Sequence, residues 1–405
     1  MVCVVPKPAA GGGGWTPPYG LPGAGAAALI GTNNADAVKQ SGVSSSDFNY
    51  AVFNAYGGGA WCPDMTVGGA WAIAGPGGHI APGMNDMPYF DFTDATWKLR
   101  ATSAAGSINP AHFNNTDFTN GGAAQTQDGY SEIVAAQPSN VPLPSHLYMS
   151  LMPISAAVAG NTAGKILRYG QSAVTTTPTR IGAVHMLDLD TTRWARVSNA
   201  SRQFSSTDGS YERNTVYDTL RGRIYIFGES LHSFNNAEYL RLSDMTLQIS
   251  AGYGSLADWT AVGDYHVMWY DAGHDLIIDY SPGNGLRALQ AGNFGAGWTV
   301  LTTSGTEVGE ASRPAYYPST GNYYFRKSAS AGNTLTKLTR PASSPLSSTW
   351  GWSSITLTGA TMPEYTNGAS NGSRHYCNLG YVPSIDRLGW VSGPDRQVII
   401  CKPGS

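Results

Sequence analysis

Charge is scarce in this 405-residue sequence: Asp, Glu, Lys and Arg together make up 13% of it, about half the usual share. The net charge is −3 and no run of Lys or Arg occurs, which excludes the basic surface that binds a phosphate backbone. No stretch approaches the roughly 18 apolar residues that span a bilayer. We therefore expect neither nucleic-acid binding nor membrane insertion.

A secretion signal is also missing. Residues 1–7 pass directly into a segment of Pro, Ala and Gly, without the apolar core of a signal peptide. With little charge, the surface must consist of Ser, Thr, Asn, Gly and Tyr, which is typical of extracellular proteins and rigid assemblies. Release by lysis, as for a phage particle, reconciles both observations. We expect a virion or extracellular location that is reached without a signal peptide.

Cysteine is sparse and widely spaced. The four cysteines are Cys3, Cys62, Cys377 and Cys401, and they include no Cys-x-x-Cys pair. Cys377 and Cys401 fall in the same predicted repeat, so a disulfide is one reading; buried free thiols are the favoured one. No zinc-type His/Cys spacing, nucleophile elbow or phosphate-binding loop occurs. We expect no metal and no cofactor.

What the sequence does contain is a returning pattern of short β segments. In each repeat an aromatic residue precedes a tight turn of Gly, Asn or Asp, and an apolar strand follows, which predicts a β-hairpin. The clearest hairpins cover residues 217–227, 270–278, 317–325 and 381–391.

Two further strands complete the repeat. A third strand ends in Asp and a fourth begins with Trp, as at Asp91 with Trp97 and at Asp188 with Trp194. Trp298 and Trp352 begin the same closing strand in later repeats. Four strands that end in one anchored by Trp predict a propeller blade.

Gly77-Gly78, Tyr89-Phe90-Asp91 and Trp97 resemble the repeat of the kelch family. That repeat carries a double glycine after the second strand, an aromatic-x-Asp third strand and a Trp opening the fourth. The likeness extends loosely over about residues 50–402, in six units that begin near residues 52, 146, 211, 264, 311 and 374. It implies an all-β, six-bladed β-propeller of four-stranded antiparallel blades. Such domains include the central domain of galactose oxidase, and phages and bacteria encode similar proteins.

The last unit supplies three strands, so its outer edge needs a partner. Near the other end of the chain, Gly14-Trp15-Thr16 echoes Gly297-Trp298-Thr299. We predict that the segment around Trp15 is the missing strand and closes the ring. Residues 1–45 then form an N-terminal arm with this strand and a Gly/Ala-rich loop, and residues 46–405 form the propeller.

The first strand of each blade directs its early residues toward the axial channel. By the unit boundaries above, the candidate ligand-binding residues at the channel mouth are Trp61, His146, Tyr148, Tyr211, Arg213, Tyr265, His266, Arg313, Arg374 and His375. Aromatic rings beside Arg and His are the mixture expected for a small polar ligand such as a sugar. The alternative is that they fill the channel and bond to neighbouring carbonyls.

Galactose oxidase suggests a sharper alternative, because its copper-radical site uses a Cys–Tyr crosslink, a Tyr next to a His, and a distant His. Cys62, Tyr265-His266 and His375 resemble these elements. Two Tyr oxygens with two His nitrogens would suit Cu(II). The pattern departs from that family, in which the Tyr-His pair comes late in the propeller and the last His lies in a further domain.

Three functions follow. The favoured one is a non-enzymatic structural and binding propeller, a phage tail or capsid-surface component that presents a loop face for host or glycan recognition. It would contact other virion proteins, or its own copies, through the N-terminal arm. The second is an extracellular carbohydrate-binding propeller, and the third is a copper-radical oxidase.

Overall fold

The architecture is that of a computed structural model, which describes residues 15–38, 59–74, 87–100, 103–104, 151–174, 179–205, 214–227, 238–249, 252, 267–309, 313–326, 332–361, 379–391 and 398–404. Apart from strands, these residues form one short helix, α1 (Ala156–Ala159), and the 3-10 turns Ala35–Val38, Phe294–Ala296 and Pro383–Ile385. None of the helices in these ranges is long and apolar enough to cross a membrane.

The first strand, β1 (Ala26–Ile30), comes before blade 1 in the sequence. Blade 1 contains β2 (Ala60–Cys62), β3 (Ala70–Ala72), β4 (Met87–Asp91) and β5 (Thr96–Arg100), and β6 (Ser103–Ala104) follows it. Blade 2 contains β7 (Leu151–Ile154), β8 (Lys165–Val174), β9 (Thr179–Asp188) and β10 (Arg193–Ser205). Blade 3 contains β11 (Asn214–Asp218), β12 (Arg223–Phe227), β13 (Glu238–Arg241) and β14 (Thr246–Ile249).

The remaining three sheets repeat this pattern. Blade 4 contains β15 (Val267–Asp271), β16 (Leu276–Ser281), β17 (Gly285–Gln290) and β18 (Trp298–Val300), and β19 (Thr303–Ser304) follows it. Blade 5 contains β20 (Ala315–Tyr317), β21 (Asn322–Phe325), β22 (Thr334–Thr339) and β23 (Trp350–Thr356), and β24 (Thr358–Gly359) follows it. Blade 6 contains β25 (Leu379–Val382), β26 (Arg387–Trp390), β27 (Val398–Lys402) and β1.

The six sheets close into a ring. The first strands of neighbouring blades contact each other: β2 with β7, β7 with β11, β11 with β15, β20 with β25, and β25 with β2. Blades 4 and 5 share a buried cluster in which the rings of Trp269 and Tyr323 lie 5.4 Å apart. The chain is therefore a six-bladed β-propeller, as predicted.

An N-terminal strand closes the ring, but the predicted position near Trp15 is wrong. The closing strand is β1, which pairs antiparallel with β27 from Ala26 opposite Lys402 to Ile30 opposite Val398. Trp15 lies outside any strand and packs, half-buried, on the core of blades 6, 1 and 2. The Ala-rich sequence of β1 has low strand propensity, so pairing with an open sheet edge decides its conformation.

Within the described residues, three blades carry a fifth, two-residue strand on their outer edge. β6 pairs parallel with β10, β19 with β23, and β24 with β1. In each case the added strand comes directly after the outer strand of the preceding blade. The segment that leaves one blade thus pairs with the outer strand of the following blade.

Seven hairpins share one turn form on one face of the ring, called here the hairpin face. Each has four residues between its strands, and the fourth has φ between about +50° and +70°. These fourth residues are Ala95, Thr192, Gly222, Met245, Asp275, Gly321 and Asp386. Asp91, Asp218 and Asp271 precede three of the turns and accept hydrogen bonds from turn N–H groups. The Asp residues before these turns therefore cap them.

The core lies between the blades, in clusters that each join consecutive blades. Trp97 and Trp194 on outer strands are fully buried, as the Trp pattern predicts. In blade 5 the outer strand begins at Trp350, two residues before the predicted Trp352, and both rings are buried. The outer strands of blades 3 and 6 contain no Trp.

Candidate functional site

Six equivalent residues surround the axial channel. Each is the next-to-last residue of a first strand, as the pairing with the second strand shows. They are Trp61, Pro153, Tyr217, Tyr270, Tyr316 and Tyr381, which we call the channel ring. All six are partly exposed. Five of the six blades therefore present an aromatic side chain at the same level of the channel.

A cavity of about 320 Å³ occupies the channel between blades 1, 2, 5 and 6. Trp61, Pro153, Tyr316 and Tyr381 of the channel ring line it, together with Leu, Met, Ala, Pro and Gly residues of the same first strands and of the residues that flank them. Arg313 is the one charged residue among the described residues of its lining. The site is thus mainly apolar and aromatic, with a guanidinium at one position, and its volume is in the range of small-ligand pockets.

Trp61 has a structural role in addition to lining the cavity. Its indole lies so close to the backbone of blade 6 that a Cβ on Gly380 would come within 2.3 Å of the ring, and one on Gly389 within 2.7 Å. The ring also stacks on Phe92 at 5.8 Å. Only glycine at both positions leaves room for this side chain, which wedges blade 1 against blade 6.

Arg313 links two blades that are not adjacent. It precedes the first strand of blade 5, and its Nη2 donates a hydrogen bond of 2.6 Å to the carbonyl of Thr215 in blade 3. The contact bypasses the intervening first strand of blade 4. Arg313 therefore lies at the cavity, and part of its hydrogen-bonding capacity is used within the protein.

Two hydroxyl groups of the channel ring are held by turn carboxylates. Tyr270 donates to Asp275 Oδ1 at 2.8 Å, and Tyr381 donates to Asp386 Oδ1 at 3.2 Å. Burial and the charge of Asp386 raise the pKa of Tyr381 to about 12. Burial alone would raise the pKa of Asp275, but the hydrogen bonds from Arg221 and Tyr270 outweigh it and lower that pKa. These phenols remain neutral donors at physiological pH.

A second, smaller cavity of about 140 Å³ lies on the hairpin side of blades 3, 4 and 5. Tyr217, Tyr270, Tyr316, Tyr323 and Arg340 line it. The Arg340 guanidinium lies 5.4 Å from the centre of the Tyr316 ring, and its Nη1 bonds Asp271 Oδ1 at 2.7 Å. Because Tyr316 lines both cavities, they adjoin at this residue.

The structure describes the positions of two of the predicted site residues. Trp61 and Arg313 both line the larger cavity. The other candidates, His146, Tyr148, Tyr211, Arg213, Tyr265, His266, Arg374 and His375, lie outside the described residues. The first strands begin a few residues downstream of the predicted unit starts.

Sequence reasoning missed the tyrosines of the channel ring, although the signal was present. Tyr217, Tyr270 and Tyr381 each begin one of the hairpin patterns noted above, and Tyr316 lies next to the Tyr317 that begins another. The hairpin pattern identifies them only as strand residues. Because a strand alternates its side chains, the residue before the last one turns to the opposite face. Here that position lies beside the channel in all six blades.

Two cysteines are buried free thiols, as the favoured reading predicts, whereas Cys3 and Cys377 lie outside the described residues. Cys62 is 3% exposed, and burial followed by the charge of Asp64 raises its pKa. Burial raises the pKa of Cys401 to about 12. Across the described ranges no three His, Cys, Asp or Glu side chains approach as a metal site requires. Tyr265, His266 and His375 of the copper hypothesis lie outside those ranges.

No protein-family model matches the chain, and the search of curated proteins gives no match. Solved structures with a similar fold include the major allergen Mala s 1 of Malassezia sympodialis, with a TM-score of 0.44, 9% identity, and coverage of 80% of this chain and 89% of the allergen. Another is the α-L-arabinofuranosidase Arb93A of Fusarium graminearum, with a TM-score of 0.46, 10% identity, and coverage of 87% and 97%. At such identities the likeness concerns the fold alone.

Proposed function

We propose that this chain is a non-enzymatic binding propeller of the kelch-like type, and that its axial cavity recognises a saccharide. The observation that carries the proposal is the cavity of about 320 Å³ into which Trp61, Tyr316 and Tyr381 expose part of their rings. Aromatic faces beside a hydrogen-bond donor are suited to a sugar, which has both apolar ring faces and hydroxyl groups. Arg313 supplies such a donor at the same cavity.

The composition of the cavity favours binding over catalysis. General acid–base catalysis works best with a group whose pKa lies near the working pH, and nucleophilic catalysis most often uses an activated Ser, Cys, Lys or carboxylate. Arg313 is the only charged residue among the described lining residues, and an arginine stays protonated in proteins. The ring is also rigid where it meets the cavity, because Trp61 is fixed against Gly380 and Gly389.

A glycan array tests the binding role, with Pro153→Tyr as the decisive variant. Pro153 holds the one non-aromatic position of the channel ring. The equivalent position carries Tyr in blades 3 to 6, so the backbone accepts that side chain. The new ring would enter the cavity, and we expect it to abolish binding without unfolding the protein. Pro153→Ala keeps the cavity open and should retain binding. Failure of the wild-type chain to bind any glycan would contradict the proposal.

We further propose that the propeller is a component of a phage virion, on the tail or capsid surface, where it presents one face to the host. The scarce charge, 13% of residues, and the 50 glycines support a rigid module in an assembly. The N-terminal arm would contact neighbouring virion proteins or other copies. Mass spectrometry of purified particles tests this location. Finding the chain only as a free extracellular protein would favour the second candidate, an extracellular carbohydrate-binding propeller.

A further inference from the structure

A third pocket lies away from the axis, on the hairpin face between blades 4 and 5. This 4/5 groove has a volume of about 350 Å³. Blade 4 contributes His274, Asp275, Gln290 and Asn293, and the connection between the last two strands of blade 5 contributes Ser344 and Ser347. The groove shares no lining residue with the axial cavity. It is therefore a separate candidate site.

The imidazole of His274 is held in a fixed orientation. Nδ1 lies 2.8 Å from Oδ2 of Asp271, which is fully buried. Because a carboxylate only accepts hydrogen bonds, Nδ1 carries the proton in this pair. Asp271 is itself fixed by Arg340 Nη1 at 2.7 Å and by the Gly273 N–H at 3.0 Å. The exposed tenth of the His274 side chain belongs to the groove lining, which leaves Nε2 as the atom available to a ligand.

One buried tryptophan braces both walls of the groove. Trp350 is fully buried, and its ring lies edge-on to His274 with the centroids 6.2 Å apart. Its Nε1 donates to the carbonyl of Pro345 at 2.9 Å. Ser344 has φ of +50°, and its carbonyl accepts the N–H groups of Ser347 and Ser348 at 3.0 and 2.9 Å. The loop is thus preorganised, which reduces the entropy lost on binding.

The groove presents neutral hydrogen-bonding groups. Asp275 is the only charged residue among its described lining residues, and both of its oxygens accept hydrogen bonds from Arg221. The side chain of Asn293 makes no capping hydrogen bond to the turn that it begins, and the residue is exposed. An imidazole, two amides and two hydroxyls remain, each of which pairs with hydroxyl groups. The Ser347 hydroxyl donates to the Ser344 carbonyl at 3.3 Å and remains as an acceptor. Leu276 and Leu346 add apolar surface.

We infer that the 4/5 groove binds a neutral saccharide unit, independently of the axial cavity. Neutral donors and acceptors beside a small apolar surface match a ring that carries hydroxyl groups and apolar C–H faces. A phosphate or another anion is a poor fit, because the described lining residues include a carboxylate and neither Lys nor Arg.

The test uses the full chain with histidine labelled with ¹⁵N, titrated with the methyl glycosides of glucose, galactose, mannose, rhamnose and N-acetylglucosamine. We expect at least one glycoside to bind in the millimolar range and to shift the ring signals of His274. His274→Phe keeps the ring shape without its nitrogens, and Asn293→Ala removes one amide. Each should weaken binding by about tenfold, as expected for the loss of a hydrogen-bonding side chain.

Two controls separate this site from its surroundings. Ser343→Ala changes an exposed hydroxyl of the same loop outside the groove lining, and should leave the affinity unchanged. Pro153→Tyr fills the axial cavity and should also leave groove binding intact, so either site can fail without the other. The inference is overturned if none of the glycosides binds, if both groove variants keep full affinity, or if inorganic phosphate binds more tightly than every glycoside.

Discussion

Arg221 of blade 3 forms a two-armed ion pair with Asp275 of blade 4. Nη1 donates to Oδ1 at 2.6 Å and Nη2 to Oδ2 at 2.5 Å. Asp271, which directly precedes the same turn of blade 4, holds blade 5, because Arg340 bonds it at 2.7 Å. The five-residue segment 271–275 thus joins three blades through two guanidinium–carboxylate pairs. A planar guanidinium can donate two parallel hydrogen bonds to one carboxylate, which an ammonium group cannot do.

Arg221→Lys should therefore destabilise the protein although it keeps the charge. Arg221 donates to both oxygens of Asp275 and also to Asp218 Oδ2 at 2.9 Å. A lysine ammonium cannot reproduce this fork, and the partly exposed position limits the loss to about 1 kcal/mol of unfolding free energy. Urea unfolding followed by tryptophan fluorescence measures it. The matched control is Arg241→Lys, which alters the exposed pair with Asp244 within blade 3. Equal effects of the two substitutions would show that the pair between blades has no special role.

The glycine at position 380 should tolerate no side chain. An alanine Cβ there would lie within 2.3 Å of the Trp61 indole, which is itself confined by Gly389. We expect Gly380→Ala to lower the unfolding free energy by about 2–3 kcal/mol. Gly23→Ala is the control, since nothing lies within 4 Å of its added Cβ. Introducing Trp61→Ala should remove most of the additional cost of Gly380→Ala. Strict additivity of the two substitutions would refute this packing explanation.

Alkaline pH should weaken the fold through two phenols that lie near Asp386. Burial and then the charge of Asp386 raise the pKa of Tyr317 and of Tyr381 to about 12, against about 10 in an unfolded chain. The folded state therefore binds these protons more tightly. The stability they provide is complete below about pH 10 and is lost between about pH 10 and about pH 12.

Tyrosinate absorbance reports all 22 tyrosines of the chain, so the difference between the titration curves of the wild type and Asp386→Asn measures these two groups. Asp386→Asn keeps the side-chain shape and suits the φ of +50° at this position. It removes the nearby negative charge, so both phenols should titrate at lower pH than in the wild type. An unchanged titration curve would show that burial alone sets their pKa.

The sequence pattern predicted the blades well because each hairpin is local. Each turn, such as those that end at Gly222 and Gly321, and the apolar strand after it lie within about ten residues. The repetition of this turn-and-strand unit can therefore be recognised in a single sequence. The closing strand was misplaced because β1 owes its conformation to β27, at the opposite end of the chain. Trp15 repeats the motif of Trp298 but not its strand pairing.

The axial cavity and the 4/5 groove show the same limit of prediction from sequence. The channel ring is periodic along the chain, so its tyrosines were visible, although their orientation was not. The 4/5 groove joins His274 to a loop some seventy residues later, and nothing in either segment indicates the other. The hairpin pattern likewise does not indicate that the carboxylates of Asp271 and Asp275 bind guanidinium groups of neighbouring blades.

The shared turn form yields a stabilising substitution. Thr192 occupies the last turn position between the third and fourth strands of blade 2, with φ of +56°. Turns of the same form between the first and second strands of blades 3 and 5 have Gly222 and Gly321 at this position. A left-handed conformation costs a non-glycine residue about 1–2 kcal/mol, and a β-branched side chain is especially unfavourable. Thr192→Gly removes this strain, partly offset by the greater entropy of an unfolded glycine.

The expected gain is about 0.5–1 kcal/mol of unfolding free energy, measured by urea unfolding. The reverse exchange, Gly222→Thr, introduces the same strain where no atom lies within 4 Å of the new Cβ. It should destabilise the protein through the backbone alone, without a steric clash. A lower stability of Thr192→Gly together with an unchanged stability of Gly222→Thr would show that φ does not determine which residue occupies the last turn position.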